Sequence, residues 1–216
     1  MTANPLDLIY VAHQAFRRDI DQIDRAAVAA ARGEHDLDVT IDRFRFFGEM
    51  LSWHAEGEDA GIFPVLAPVV PFIVTAYELD HRGLDLAIDG LTAAVDAHDA
   101  IEIARSTAAL KFHLVMHLYK EDVDLYPVLE QELSPVDRAR AVGVFTDALP
   151  VDRFGDFVRW LFPLVNTDER VRVVRVWHDA MPSDVFEGSI RMVERTIGDE
   201  FTDLVAHMPD LADIAS

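Results

Sequence analysis

One stretch of this sequence occurs twice, and the repetition limits what the chain can fold into. His54-Ala-Glu-Gly-Glu58-Asp59-Ala-Gly-Ile-Phe63-Pro64-Val65-Leu66 matches His117-Leu-Tyr-Lys-Glu121-Asp122-Val-Asp-Leu-Tyr126-Pro127-Val128-Leu129. His, Glu, Asp, Pro, Val and Leu coincide, and Phe63 falls opposite Tyr126. A weaker match relates the region of His13, Ile20 and Ile23 to that of His81, Ile88 and Leu91. The first ~130 residues therefore read as two copies of a helical hairpin. Neither copy can bury its apolar face alone, which favours pairing them into a bundle.

Helical periodicity runs through almost the whole chain. Helix A spans about Pro5 to Ala31, with Leu8, Ile9, Ala12, Phe16, Ile20 and Ile23 on one face. Helix B covers about Val39 to Ala60, after which prolines at 64, 68 and 71 break the pattern. Helix C runs from about Phe72 to Ala97, and helix D from Ala100 to Glu132. Ser134-Pro135 is a helix-start signal. Further helices are expected near 135–149, 152–165, 168–180 and 184–207. No alternating strand pattern stands out, and Asp89-Gly90 lies within helix C. The expected fold is all-α: residues 1–132 as one bundle and 133–216 as a C-terminal helical extension.

Height along the helices is the stronger clue to chemistry. In an antiparallel hairpin, residues at one level are equidistant from the turn. The midpoint of His13 and His54 falls between Gly33 and Glu34; that of His81 and His117 falls at Asp99; that of His54 and His81 falls near Pro68. All three midpoints lie in expected loops, which places four histidines in one layer. His-x-x-x-Glu puts Glu58 and Glu121 one turn from His54 and His117 on the same face. With nine histidines in the chain, that spacing also arises by chance. His98-x-x-x-Glu102 is such an instance, at the expected C–D turn and without the Asp and aromatic-Pro context. Four imidazoles and two carboxylates in one buried layer are costly without a cation. A metal pair resolves the cost, and mixed imidazole and carboxylate ligands suit iron.

Composition narrows the partners. A net charge of −20 argues against nucleic acid and anionic membrane. The absence of cysteine excludes disulfides, thiolate catalysis and iron–sulfur clusters. The N-terminus has no basic region or long apolar run, so no secretory signal is expected, and no apolar stretch is long enough to span a membrane. The expected location is cytoplasmic.

The order H…HxxxE…H…HxxxE, with an aromatic-Pro pair after each HxxxE, resembles the hemerythrin-like (HHE cation-binding) family over roughly residues 5–132. The resemblance implies an antiparallel up-down-up-down four-helix bundle holding two iron ions with an oxo, hydroxo or water bridge. It assigns His13 and His54 to one iron, His81 and His117 to the other, and Glu58 and Glu121 to both. The sequence departs from the oxygen-carrying hemerythrins in two respects. They have a second helix-C histidine one turn from the first, where this chain has Tyr77 and Asp85 on either side of His81. They use HxxxxD on the last helix, where this chain has HxxxE. Tyr77, Asp85 and His113 are the candidates for an additional ligand. A ferritin-like site fits less well, because only Glu78-x-x-His81 has its Glu-x-x-His spacing.

Asp59 and Asp122 are candidates to orient the ligands. Met50 and Met116 are expected to fill core, Trp53 and Phe112 to pack the bundle, and His35, His178 and His207 to be exposed. Trp160-Leu-Phe-Pro163, Asp168-Glu-Arg170, Trp177 and Met181-Pro182 loosely resemble the extension after hemerythrin-like modules in plant iron-regulating ubiquitin ligases. The leading expectation is a non-haem diiron protein that binds dioxygen or reacts with hydrogen peroxide or nitric oxide, with peroxide disproportionation as an open activity. The alternative is an iron- or oxygen-responsive module without turnover. A structural bundle around another metal such as zinc is the third reading. The C-terminal helices are where a homodimer or protein partner is expected to dock.

Overall fold

The computed structural model describes residues 3–211, and they form helices joined by turns, with no strand among them. In chain order these are α1 (Asp7–Ala31), α2 (Leu37–Gly57), α3 (Phe63–Leu66), α4 (Pro71–Asp96), α5 (Ala100–Lys120) and α6 (Tyr126–Glu132). They continue as α7 (Pro135–Thr146), α8 (Phe154–Leu164), α9 (Thr167–Ala180), α10 (Ser183–Ile197) and α11 (Glu200–Ala206). The chain divides into two compact units, residues 16–149 and residues 1–15 with 150–216.

Four helix starts follow from side chains that accept the first free backbone N–H groups. Asp36 caps α2 and Asp99 caps α5. Ser134 caps α7, with Pro135 in its first turn. Asn166 and Glu169 form a reciprocal capping box on α9. The turn between α4 and α5 bends at His98, which adopts φ +52°. His98 and Glu102 are both exposed, so the chance HxxxE pair lies on the surface.

Helix D runs through Pro127 to Glu132 as expected, whereas the proline of the first copy acts differently from the sequence expectation. Helix B does not stop at Ala60. Instead α2 leads into a π turn over Glu58–Ile62 and then α3, and α5 leads into a second π turn over Glu121–Leu125 and then α6. A proline inside an α-helix lacks the N–H that bonds to residue i−4, and its ring collides with that carbonyl. The π turn accommodates this by widening the helix just before the proline. Phe63 N–H donates to the Glu58 carbonyl and Tyr126 N–H to that of Glu121, five residues back in each case. Proline thus reshapes the helix without ending it.

Within residues 16–149, α4 packs along α5, while α2 meets α4 over a much shorter stretch. Arg43 of α2 pairs with Asp19 of α1 at 2.6 Å, and Lys111 of α5 with Asp21 and Asp24 at 2.7 and 2.9 Å. Helix α7 lies against α2 and the first π turn. The approach is close because Gly57 and Gly61 have no Cβ there. One on Gly57 would lie 2.6 Å from the Phe145 carbonyl oxygen, and one on Gly61 2.5 Å from that of Ala141.

Phe112 and Met116, expected inside, are exposed. The buried face of α5 carries Ile103, Thr107, Leu110, Leu114, His117 and Leu118. Phe112 and Met116 are two residues from Leu114, which puts them on the opposite side of the helix. Met50 is buried, and His35, His178 and His207 are exposed, as expected.

In the other unit, α8 packs on α10, which also meets α9 and α11. Trp177 packs against Phe154 and Phe162, with ring centroids 5.3 and 5.5 Å away. Buried Arg170 donates to the Phe162 carbonyl at 2.9 Å and pairs with Glu200 at 2.6 Å. The single helix expected over 184–207 is broken at Gly198, whose φ of +56° suits glycine.

The glycines give a stability test. Gly61→Ala forces a methyl into the α7 backbone and is expected to destabilise by about 1–3 kcal/mol. Gly83→Ala, on α4 with nothing within 4 Å of the added carbon, is expected to stabilise by about 0.5–1 kcal/mol. Denaturant midpoints of the two variants read this directly, and equal shifts would contradict the close α7 packing.

Candidate metal centre

Each HxxxE pair sits where an α-helix turns into a π turn. His54 is the last histidine of α2, and Glu58 opens the first π turn. His117 and Glu121 hold the same places on α5 and the second π turn. His81 comes from the middle of α4. All five side chains are buried, with Glu58 and Glu121 at 0 % exposure.

The Glu58 carboxylate lies between two histidines from different helices. Its Oε1 is 3.3 Å from His54 Nε2, and its Oε2 is 3.3 Å from His81 Nε2. Glu121 Oε1 is 3.1 Å from His117 Nε2. The rings of His81 and His117 stand 4.9 Å apart. One ligand atom from each of Glu58, His81, His117 and Glu121 lies within 4.8 Å of the others, and the same holds for His54, Glu58 and Glu121. His13 is completely buried on α1, three residues before Phe16 on the same helix face. The ring of Phe16 packs edge-on to His54 at 5.2 Å.

The supporting residues are unequal in the two copies. Asp59 Oδ1 is 3.2 Å from His81 Nδ1, which fixes that ring with Nε2 turned to Glu58. Asp122, its counterpart, pairs with Arg17 at 2.5 Å. His117 Nδ1 faces Asp80 at 3.8 Å, and Asp80 is paired with Lys120. Tyr126 donates a short hydrogen bond to Glu58 Oε1. At the matching place Phe63 has no hydroxyl, and its ring lies 5.2 Å from that of His81. Phe145 of α7 meets the His54 ring edge-on at 5.3 Å.

Electrostatics follow from the burial. Burial raises the Glu121 carboxyl well above its ordinary range, and the neighbouring carboxylates Glu58, Asp122 and Asp80 push the same way. Burial also drives the Tyr126 hydroxyl up, reinforced by Glu58 and Glu121, so it stays protonated and donates. For His81, burial opposes the charged form, yet Glu58 and Asp59 more than offset it and the net shift is upward. These are acids and bases arranged to share positive charge. Buried imidazoles beside two close carboxylates form a donor set that suits a first-row transition ion, and their number suits two.

Tyr77, Asp85 and His113 part company. Tyr77 is buried, with its ring 6.1 Å from that of His117, and its hydroxyl is pushed up by burial and then by Glu121. Asp85 and His113 are exposed. Sequence reasoning missed Tyr126, Asp80, Phe145 and the two glycines. The signals were present: a hydroxyl in one copy of the repeat only, and Gly57 and Gly61 where the second copy has Lys120 and Asp124.

The family model described as the hemerythrin HHE cation binding domain matches residues 4–129. The chain is 28% identical to zinc finger protein BRUTUS of Arabidopsis thaliana over 173 residues, which cover 77% of this chain and 14% of that protein. Two BRUTUS-like zinc finger proteins of the same plant are 26% and 24% identical, with the same coverage. The chain therefore spans about one seventh of the length of these curated relatives, and at 77% of its own length the similarity runs past Leu129. No solved structure matches. With more than half of its residues matched by that family model, the chain belongs to the hemerythrin HHE cation binding domain family.

Proposed function

We propose that this protein is a non-haem diiron protein whose first ~130 residues form an up-down-up-down four-helix bundle around the metals. In this reading His13 and His54 hold one iron, His81 and His117 the other, and Glu58 and Glu121 span both. Residues 133–216 act as a helical extension. The observation that carries the reading is Glu58, which offers one carboxylate oxygen toward His54 and the other toward His81. A pair of iron ions held there supplies redox capacity and open coordination positions for dioxygen, hydrogen peroxide or nitric oxide. The chain's own residues do the rest. Asp59 orients His81, Tyr126 steadies Glu58, and Tyr77 is the best placed of the three additional-ligand candidates.

A second reading, an iron- or oxygen-responsive module without turnover, draws on one contact. Phe145 packs on His54, so α7 touches a proposed ligand directly. The match to one seventh of much longer zinc finger proteins fits a module of this kind. Peroxide consumption by the iron-loaded protein favours the first reading. Its absence, together with α7 amide exchange that speeds up on iron removal, favours the second.

Iron analysis after iron-replete expression is expected to give about two ions per chain, and under about one would sink the diiron reading. Asp59→Asn is expected to weaken iron binding by about tenfold. Asp122→Asn is expected to break the pair with Arg17. Unchanged iron affinity in Asp59→Asn would contradict the role assigned to that residue.

Stability of the metal-free form should depend on pH in a definite direction. The unfolded chain ionises Glu121 near 4.5, whereas the folded chain keeps its proton to higher pH. Folding is therefore penalised progressively as pH rises above that value. His81 acts in the same sense: its contribution is complete below 6.5 and is lost as pH rises through its raised folded value. The melting temperature of the metal-free protein is expected to fall between about pH 5 and 8 relative to the iron-loaded protein. A gap between the two forms that stays constant over this range would contradict the assignment.

A further inference from the structure

A cavity of about 430 Å³ opens between α2 and α4. His54, His81 and His117 lie in its wall together with Phe44, Leu51 and Leu84. All six are buried, so they form its inner end. Dioxygen, peroxide and nitric oxide each need little more than the ~30 Å³ share of one water, roughly a tenth of this space. The volume instead falls in the range of about 300–1,000 Å³ typical of sites for organic molecules.

Gly48 leaves room on the α2 side of this space. It lies inside α2, where glycine weakens a helix by roughly 0.5–1 kcal/mol relative to alanine. Nothing lies within 4 Å of the Cβ it lacks, so no close packing requires it. It lines the cavity, where a larger side chain would take up room. The rim carries more negative than positive charge. Glu49 and Asp85 are exposed there, and the one cation lining the cavity, Arg45, is paired with Asp42 at 3.2 Å.

We propose that this cavity binds an organic molecule with an apolar body and a cationic head, of which a primary alkyl amine is the simplest form. The apolar body enters between α2 and α4 toward the histidines, and the ammonium stays at the rim with Glu49 and Asp85. The bound molecule would then control which small molecules reach the imidazoles. That last consequence rests on the diiron reading, whereas the cavity and its rim do not.

The test titrates iron-loaded and metal-free protein with hexylamine, hexanol and hexanoate by calorimetry, with iron measured on the same samples. Hexylamine is expected to bind about threefold more tightly than hexanol, with hexanoate weakest, as suits exposed charges. Gly48→Phe, which fills the cavity from α2, is expected to weaken hexylamine at least about tenfold with iron content unchanged. Ile88→Phe fills it from α4 and is expected to do the same should the first variant fold poorly. The double variant Glu49→Gln, Asp85→Asn should bring hexylamine to the hexanol level. No amine binding to iron-loaded protein, hexanoate as the tightest ligand, or binding that survives both filled variants would overturn the proposal. Amine binding by a protein that never takes up iron would sustain the cavity site while removing the diiron reading.

Discussion

Everything near the centre of residues 16–149 depends on two carboxylates kept out of water. Glu58 and Glu121 are fully buried within reach of one another. Two bare anions so placed repel, and neither has solvent to spread its charge. The protein answers with imidazoles from three helices, a tyrosine hydroxyl on Glu58, and carboxylates behind two of the rings. Each device passes positive charge or a proton toward the pair. A dication does so more completely, which is why the donor set makes most sense around metal. The cost of burial and the capacity to hold a cation are one property seen with and without its ion.

The π turns are the means by which the carboxylates get there. Each proline sits six residues after the glutamate that opens the turn. By forbidding a plain α-helix it widens the backbone directly after the ligand. The turn on the first copy also receives α7, whose backbone approaches Gly57 and Gly61. A fold requirement and a site requirement thus meet in five residues. The second copy, with Lys120 and Asp124 in place of the glycines, keeps the π turn without taking part in that approach.

Much of this was legible in the sequence because it depends on periodicity. The all-helical class, the helix start at Ser134-Pro135, and the layer containing His54, His81, His117 and the two glutamates follow from residue order and spacing. What stayed hidden depends on direction and distance. Apolar spacing alone cannot tell whether Phe112 points in or out, since that turns on the phase of α5 against its neighbours. Pro64 read as a helix end because the rule for α-helices says so, and the widened turn is an alternative the pattern does not display. The gap between α2 and α4 is a property of helix separation, to which only Gly48 gave a local trace. Asp59 and Asp122 looked equivalent, and the pairing of Asp122 with Arg17 was not readable from the repeat.

The π turns also govern how this chain can change its length. A straight α-helix advances about 100° per residue, so an insertion or deletion swings everything beyond it to another face. A π turn already carries one residue more than the α-helix it interrupts. Between Glu58 and Phe63, removal of a single residue can therefore be absorbed by reverting to α geometry once Pro64 is also replaced, leaving Leu66 in phase with the core. The same removal inside α4, between His81 and Leu91, has no such reserve and would rotate one end of that helix out of register. Tolerance to indels is thus concentrated where the helix is most irregular, immediately beside its most constrained side chains.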